Sequence, residues 1–109
     1  MGHLNLPKPI AAYFHADMRD SEAVARCFHP AAVVQDDGKT YCGHRAIACW
    51  GSDAAAKYSY TSEALELRRD NGRYIVRSRV AGNFPGSPVE LALSFRVHRG
   101  KIAALEVTA

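Results

Sequence analysis

Asp36 and Asp37 follow the apolar run from Ala31 to Val34 and precede Gly38, so two carboxylates stand where an apolar segment meets a turn. A carboxylate in mostly apolar surroundings holds its pKa up and can then shuttle a proton at a carbon beside a carbonyl. The Asp36-Asp37-Gly38 triplet is also ordinary turn chemistry. Tyr13 supplies a phenol, which is a suitable donor to a developing oxyanion when buried and equally a plain core aromatic. Asp17 comes one helical turn after Tyr13, so the two can share a face, or Asp17 can serve to solvate a helix end. Trp50, Tyr58, Tyr60, Phe84 and Phe95 are further large aromatics. Rings of this kind with one or two polar groups suit a small hydrophobic ligand, although packing is their default use. Phe84 stands apart because its Pro-Gly loop gives it little reason to be core.

Other chemistries lack their residues. The five histidines show no i, i+4 pair and no H-x-H spacing, so no metal site is expected. Cys27, Cys42 and Cys49 are odd in number and form no C-x-x-C motif, which points to reduced, mostly buried thiols rather than a disulfide framework. No Gly-rich phosphate loop and no nucleophile elbow occurs, so no cofactor is expected. The net charge of +3 is mild and its basic residues are dispersed, which gives no nucleic-acid footprint. No apolar stretch is long enough to span a bilayer or to act as a secretory signal, so the expectation is a cytoplasmic protein without a membrane partner.

The elements that must position these groups follow from periodicity. With 109 residues and 48% apolar content, one core and one domain spanning 1–109 are expected, residues 1–5 being loosely held. Pro7 and Pro9 suit a helix start, and Ile10, Tyr13, Phe14 and Met18 form an amphipathic stripe that carries the helix to about Met18. Asp20 or Ser21 caps a short second helix that buries Val24, Cys27 and Phe28 and ends at Pro30. A brief strand from Ala31 then runs into the Asp-Asp-Gly turn, and a third helix covers His44 to about Ala56.

Beyond that helix the period changes from helical to two. Ser59 to Arg69 places Thr61, Glu63, Leu65 and Leu67 on one face and Tyr58, Tyr60, Ser62, Ala64 and Glu66 on the other, and Asp70-Asn71-Gly72 turns the chain. The return strand, Arg73 to Gly82, opposes Tyr74, Val76, Ser78 and Val80 to Ile75, Arg77, Arg79 and Ala81. After the loop from Asn83 to Pro88, Val89, Leu91, Leu93, Phe95 and Val97 mark another inner face, and Ile102 to Thr108 closes the sheet. In that last strand Glu106 shares a face with Ile102 and Ala104, which makes it either a sheet-edge residue or a second acid in the interior. Helices first and a meander last argue for an α+β fold.

Three segments in this order carry a family resemblance. Cys27-Phe28-His29-Pro30-Ala31-Ala32-Val33-Val34 with Asp36, Gly43-His44-Arg45-Ala46-Ile47 and Gly100-Lys101-Ile102 resemble the helix-to-strand passage, the third-helix lead-in and the closing turn of the nuclear-transport-factor-2-like superfamily. The likeness runs from about Leu6 to Val107 and is nearest to the SnoaL-like and ketosteroid-isomerase-related domains. It implies a cone in which three N-terminal helices pack on a curved antiparallel sheet and enclose one pocket, commonly in a homodimer joined through the open sheet face.

The same resemblance implies roles. Asp36 falls where the isomerases carry their general base, and Tyr13 lies near the phenol that donates to the enolate oxygen, with Asp17, Trp50, Tyr58, Tyr60, Phe84 and Phe95 as candidate ligand contacts. The isomerases' second acid has no counterpart among the inward positions Leu91, Leu93 and Phe95. Two functions therefore stay open. One is an isomerase-like or cyclase-like proton transfer on a small hydrophobic, carbonyl-bearing molecule; the other is a non-catalytic binding or dimeric interaction module of the same fold.

Overall fold

The computed structural model describes residues 4–16 and 20–109, with positions 54 and 55 described by their backbone alone. Met18, expected to end the first helix, and Asp17 lie outside the described residues, as do positions 1–3. Helix α1 is Lys8–His15, with Pro7 at its N-cap, and it buries Ile10 and Tyr13. Helix α2 is Ser21–Arg26; the Asp20 carboxylate accepts a hydrogen bond from the Ala23 amide at 3.1 Å, satisfying a donor that a helix start otherwise leaves unpaired.

Strand β1 spans Phe28–Asp36 and therefore includes Pro30, which the sequence reading places at a helix end. Pro30 is tolerated because the ladder with the neighbouring strand breaks between Phe28 and Val33, where a missing N–H costs no pairing. Strand β2, Lys39–Cys42, pairs back on β1; four residues alternate too briefly to announce a strand, and the sequence reading assigns none there. Helix α3, Gly43–Lys57, then packs on α2 and β1. The meander follows as β3 (Tyr60–Asp70), β4 (Arg73–Gly82), β5 (Val89–His98) and β6 (Lys101–Thr108). Three hairpin turns, at Asp37-Gly38, Asn71-Gly72 and Arg99-Gly100, each place two successive residues at positive φ, the twist-compatible geometry for a two-residue connection.

The six strands form one curved sheet in the order β2-β1-β6-β5-β4-β3. The expected all-antiparallel sheet is corrected at one seam, since β1 and β6 run parallel. The three helices precede the meander, but α3 comes after two strands rather than before the sheet. Two bulges shift the faces read from strict alternation. One lies between Ala64 and Glu66, so Ala64 and Leu67, expected on opposite faces, both pack against the core. The other lies beside Ile102 in β6, and past it Leu105 is buried while Glu106 is exposed. Glu106 is thus neither an edge residue nor an interior acid: it sits on the outer face of a central strand, 3.9 Å from Arg73. The thiols also divide, with Cys27 buried and Cys42 and Cys49 exposed, against the expectation of mostly buried cysteines.

The core gathers Ile10, Val24, Phe28, Ile47, Phe95 and Ile102 between helices and sheet. Tyr13 is its hub, edge-on to Phe28 at 6.1 Å and to Phe95 at 5.6 Å between ring centroids. The outer sheet face is charged and self-compensated, Arg77 lying 2.9 Å from Glu90 and 3.5 Å from Glu66. Among the described residues no helix is long and apolar enough to cross a membrane.

Candidate functional site

A cavity of about 540 Å³ opens between α1, α3 and the concave face of the sheet. Its floor comes from alternate residues of the meander: Ser62 on β3, Ser78 and Val80 on β4, Leu91 and Leu93 on β5, and Val107 on β6. Alternation fixes this, because residues two apart share a face. Its roof is Tyr13 from α1 and Trp50 from α3.

The rim is built from two chain crossings. Tyr58 follows α3 and meets Phe84 of the β4–β5 loop edge-on at 6.0 Å. The Asn83 side-chain oxygen accepts from the Ser59 amide at 2.9 Å, and the Asn83 amide donates to the Ser59 carbonyl at 3.1 Å. The Gly82 amide donates to Ser87 Oγ at 2.8 Å. Gly82 pairs with Tyr60 in the ladder so closely that a Cβ there would land on the Ser59 carbonyl oxygen and lie 2.6 Å from Tyr60 Cβ. Only glycine lets these two segments close the rim.

Asp36 reaches the cavity from the end of β1, held between β2 and β6 by pairing with Lys39 and Val107. Its carboxylate accepts a hydrogen bond from Trp50 Nε1 at 3.0 Å. Trp50 in turn lies nearly parallel to Tyr13, with centroids 6.4 Å apart and 11° between planes. Burial, then the neighbouring Tyr60 and the Asp36 charge, push the Tyr13 hydroxyl far above the usual phenol range. Burial and Asp36 raise Tyr60 in the same way. Both phenols are therefore neutral donors at ordinary pH beside one carboxylate, an arrangement suited to receiving a proton at the acid and steadying an oxyanion at a hydroxyl.

The residues read from sequence are distributed as follows. Asp36, Tyr13, Trp50, Tyr58, Tyr60 and Phe84 all line the cavity. Phe95 does not: it is fully buried beneath Tyr13 as core, because its position on β5 is covered by α1. Asp17 lies outside the described residues. Arg77 and Glu106 belong to the opposite face. Sequence reasoning missed the indole partner of Asp36 and the two serines of the floor. The serines had a signal, since Ser78 interrupts an inward register otherwise made of Tyr74, Val76 and Val80. Among the described residues no group of three or more metal-ligating side chains comes together.

No protein-family model and no curated protein matches the chain. Solved structures do. A candidate polyketide cyclase from Sinorhizobium meliloti is similar at 42% identity and a TM-score of 0.88, the match covering 95% of this chain and 96% of that one. A protein of ketosteroid isomerase-like fold from Catenulispora acidiphila, in complex with trimethylamine, matches at 17% identity and 0.82 over 96% and 87% of the two chains. An epoxide hydrolase from Mycobacterium tuberculosis matches at 15% identity and 0.73 over 93% and 79%. The last two likenesses are of fold alone.

Proposed function

The chain belongs to the nuclear-transport-factor-2-like superfamily, with its SnoaL-like members, and from that premise we propose that its cavity binds a small hydrophobic, carbonyl-bearing molecule on which Asp36 moves a proton. The observation that carries the reading is the Asp36 carboxylate fixed by Trp50 Nε1 at 3.0 Å on the wall of an otherwise largely apolar cavity. Asp36 takes a proton from the carbon beside the carbonyl, and the electron pair passes to the oxygen as an enolate. The Tyr13 hydroxyl keeps its proton and donates a hydrogen bond to that oxygen. The enolate then either recovers the proton at another carbon, as in isomerisation, or its carbon attacks a second carbonyl of the same molecule, whose π pair moves to its oxygen and takes the proton from Asp36, as in polyketide-type cyclisation. The relative from S. meliloti supports the cyclisation branch.

A second reading is a binding module without turnover. It is favoured by the floor, where Leu91 and Leu93 stand in place of any second acid and Asp36 is the one carboxylate lining the cavity among the described residues. The two are separated by following deuterium uptake at the α-carbons of cyclic ketones and enones in heavy water by proton NMR. Exchange by the wild type that falls by about 10² or more in Asp36→Asn supports proton transfer. Exchange no faster than buffer across the panel removes catalysis and leaves the binding module.

A further inference from the structure

A second hollow, of about 530 Å³, opens between α1, α2 and the β5–β6 turn. Strand β5 runs for ten residues, roughly 30 Å, from Val89 in the wall of the Asp36 cavity to His98 beside Gly100, so this cleft and the rim of that cavity occupy opposite ends of the sheet. Lys8, Ala12, His15 and Ala16 enter the cleft from one face of α1, Ala23 and Arg26 from α2, and Lys101 from the start of β6. Its walls therefore bring together two lysines, an arginine and a histidine, and among the described residues no carboxylate lines it. The outer sheet face is arranged differently. There Arg77 meets Glu66 and Glu90, and Arg73 meets Glu106, so positive charge is compensated in place.

Helix ends account for part of this pattern. His15 and Arg26 lie in the last turns of their helices, where a cation complements the exposed carbonyls, and the Lys101 ammonium donates to the Arg26 carbonyl at 2.7 Å. Lys8 has no such account, because it stands in the first turn of α1, the end that favours an anion, and that turn holds no acidic residue. Lys101, anchored through one of its three N–H groups, keeps two for another acceptor. Burial raises the Cys27 thiol in the cleft wall, and the Lys101 and Arg26 charges both oppose that rise, so the fields of the two cations meet at this wall. We propose that the cleft binds a phosphate monoester, with the phosphate held between Lys8, Arg26 and Lys101. A phosphate monoester presents three acceptor oxygens and close to two negative charges, which suit one planar guanidinium fork and two ammonium groups. Ala12, Ala16 and Ala23 leave the rest of the hollow to its organic part. The inference is independent of what Asp36 does.

The test is a titration of the isotope-labelled chain with phenyl phosphate at fixed, low ionic strength, followed through amide chemical shifts by NMR. Saturable shifts are expected at Ala12, Ala23 and Gly100, with a dissociation constant on the order of 1 mM, and benzoate, a monoanion, is expected to bind about tenfold more weakly. Lys8→Gln and Arg26→Gln alter exposed side chains, so each variant is expected to keep the spectrum of the folded chain while its affinity falls about threefold to tenfold. Lys8→Arg, which retains the charge, is expected to keep the affinity, and so is Arg79→Gln, an exposed change on the outer sheet face. Shifts that do not saturate at these amides, or an affinity that Lys8→Gln and Arg26→Gln leave unchanged, overturn the inference. A loss in Arg79→Gln as large as theirs overturns it too, since attraction is then a property of the whole surface. Equal affinity for benzoate overturns the choice of a phosphate.

Discussion

Phe95 and Leu91 point to the same face of the same strand, one helical-turn's worth of residues apart, yet one is sealed in core and the other looks into open space. Around Phe95 the interior is filled by Tyr13, Phe14 and the α1 stripe. Leu91 instead lines the cavity, at whose rim Tyr58 and Phe84 meet. The packed half supplies stability through close contact, and the hollow half keeps polar atoms whose partners the protein does not provide. Both uses sit on one strand: α1 aromatics cover the Phe95 end, and the Leu91 end lines the cavity, so the packed half supports the open one.

Truncation separates the halves most sharply. Phe95→Ala removes a fully buried ring and leaves a void, so it is expected to cost about 3 to 5 kcal/mol, while Leu91→Ala widens an existing cavity and costs about 1 kcal/mol. Chemical denaturation of the two variants checks this, and similar losses would mean that the halves are packed alike. Next in size is the rim. Gly82→Ala drives a methyl group into the Ser59 backbone and Tyr60, a clash expected to cost about 1 to 3 kcal/mol, and it should loosen probe binding at Trp50 as the rim opens.

The effect that is silent at neutral pH concerns the two phenols, of which Tyr13 joins the halves and Tyr60 faces the hollow one. Both are raised above the ordinary phenol value of 10.0 in the folded chain. Below that pH each is neutral in both states and the difference is silent. Above it the unfolded chain ionises first, so stability is expected to fall as pH rises from 10.0 towards the higher folded values, by at most about 1.4 kcal/mol per pH unit for each tyrosine. Melting curves between pH 9 and about 11.5 read the slope, and Tyr13→Phe should flatten it. An unchanged slope in that variant would place Tyr13 outside the sealed interior.

The alternation of β4 and β5 and the stripe of α1 were legible in the sequence because each residue there obeys one local period. Asp36 at the end of an apolar strand was legible for the same reason. What escaped depends on events that no local period encodes. The bulge near Leu65 carries Leu67 to the inner face, the bulge beside Ile102 turns Glu106 outward, and the broken ladder around Pro30 admits a proline to a strand. Periodicity assigns Phe95 and Leu91 the same face but is silent on whether anything covers it. Nor could spacing reveal that Trp50, fourteen residues after Asp36, would bring its indole N–H to that carboxylate, since the meeting is made by the packing of α3 on β1.

The parallel seam between β1 and β6 has a consequence for the order of folding. The strand that presents Asp36 is flanked on one side by β2, close behind it in sequence, and on the other by β6, from which α3 and three further strands separate it. The β3–β4 hairpin closes a short loop and can form early, but the carboxylate is not enclosed until β6 has inserted between β1 and β5. The acid is thus oriented by one of the most distant pairings in the sheet, so its placement reports on folding of the whole domain rather than of any local hairpin.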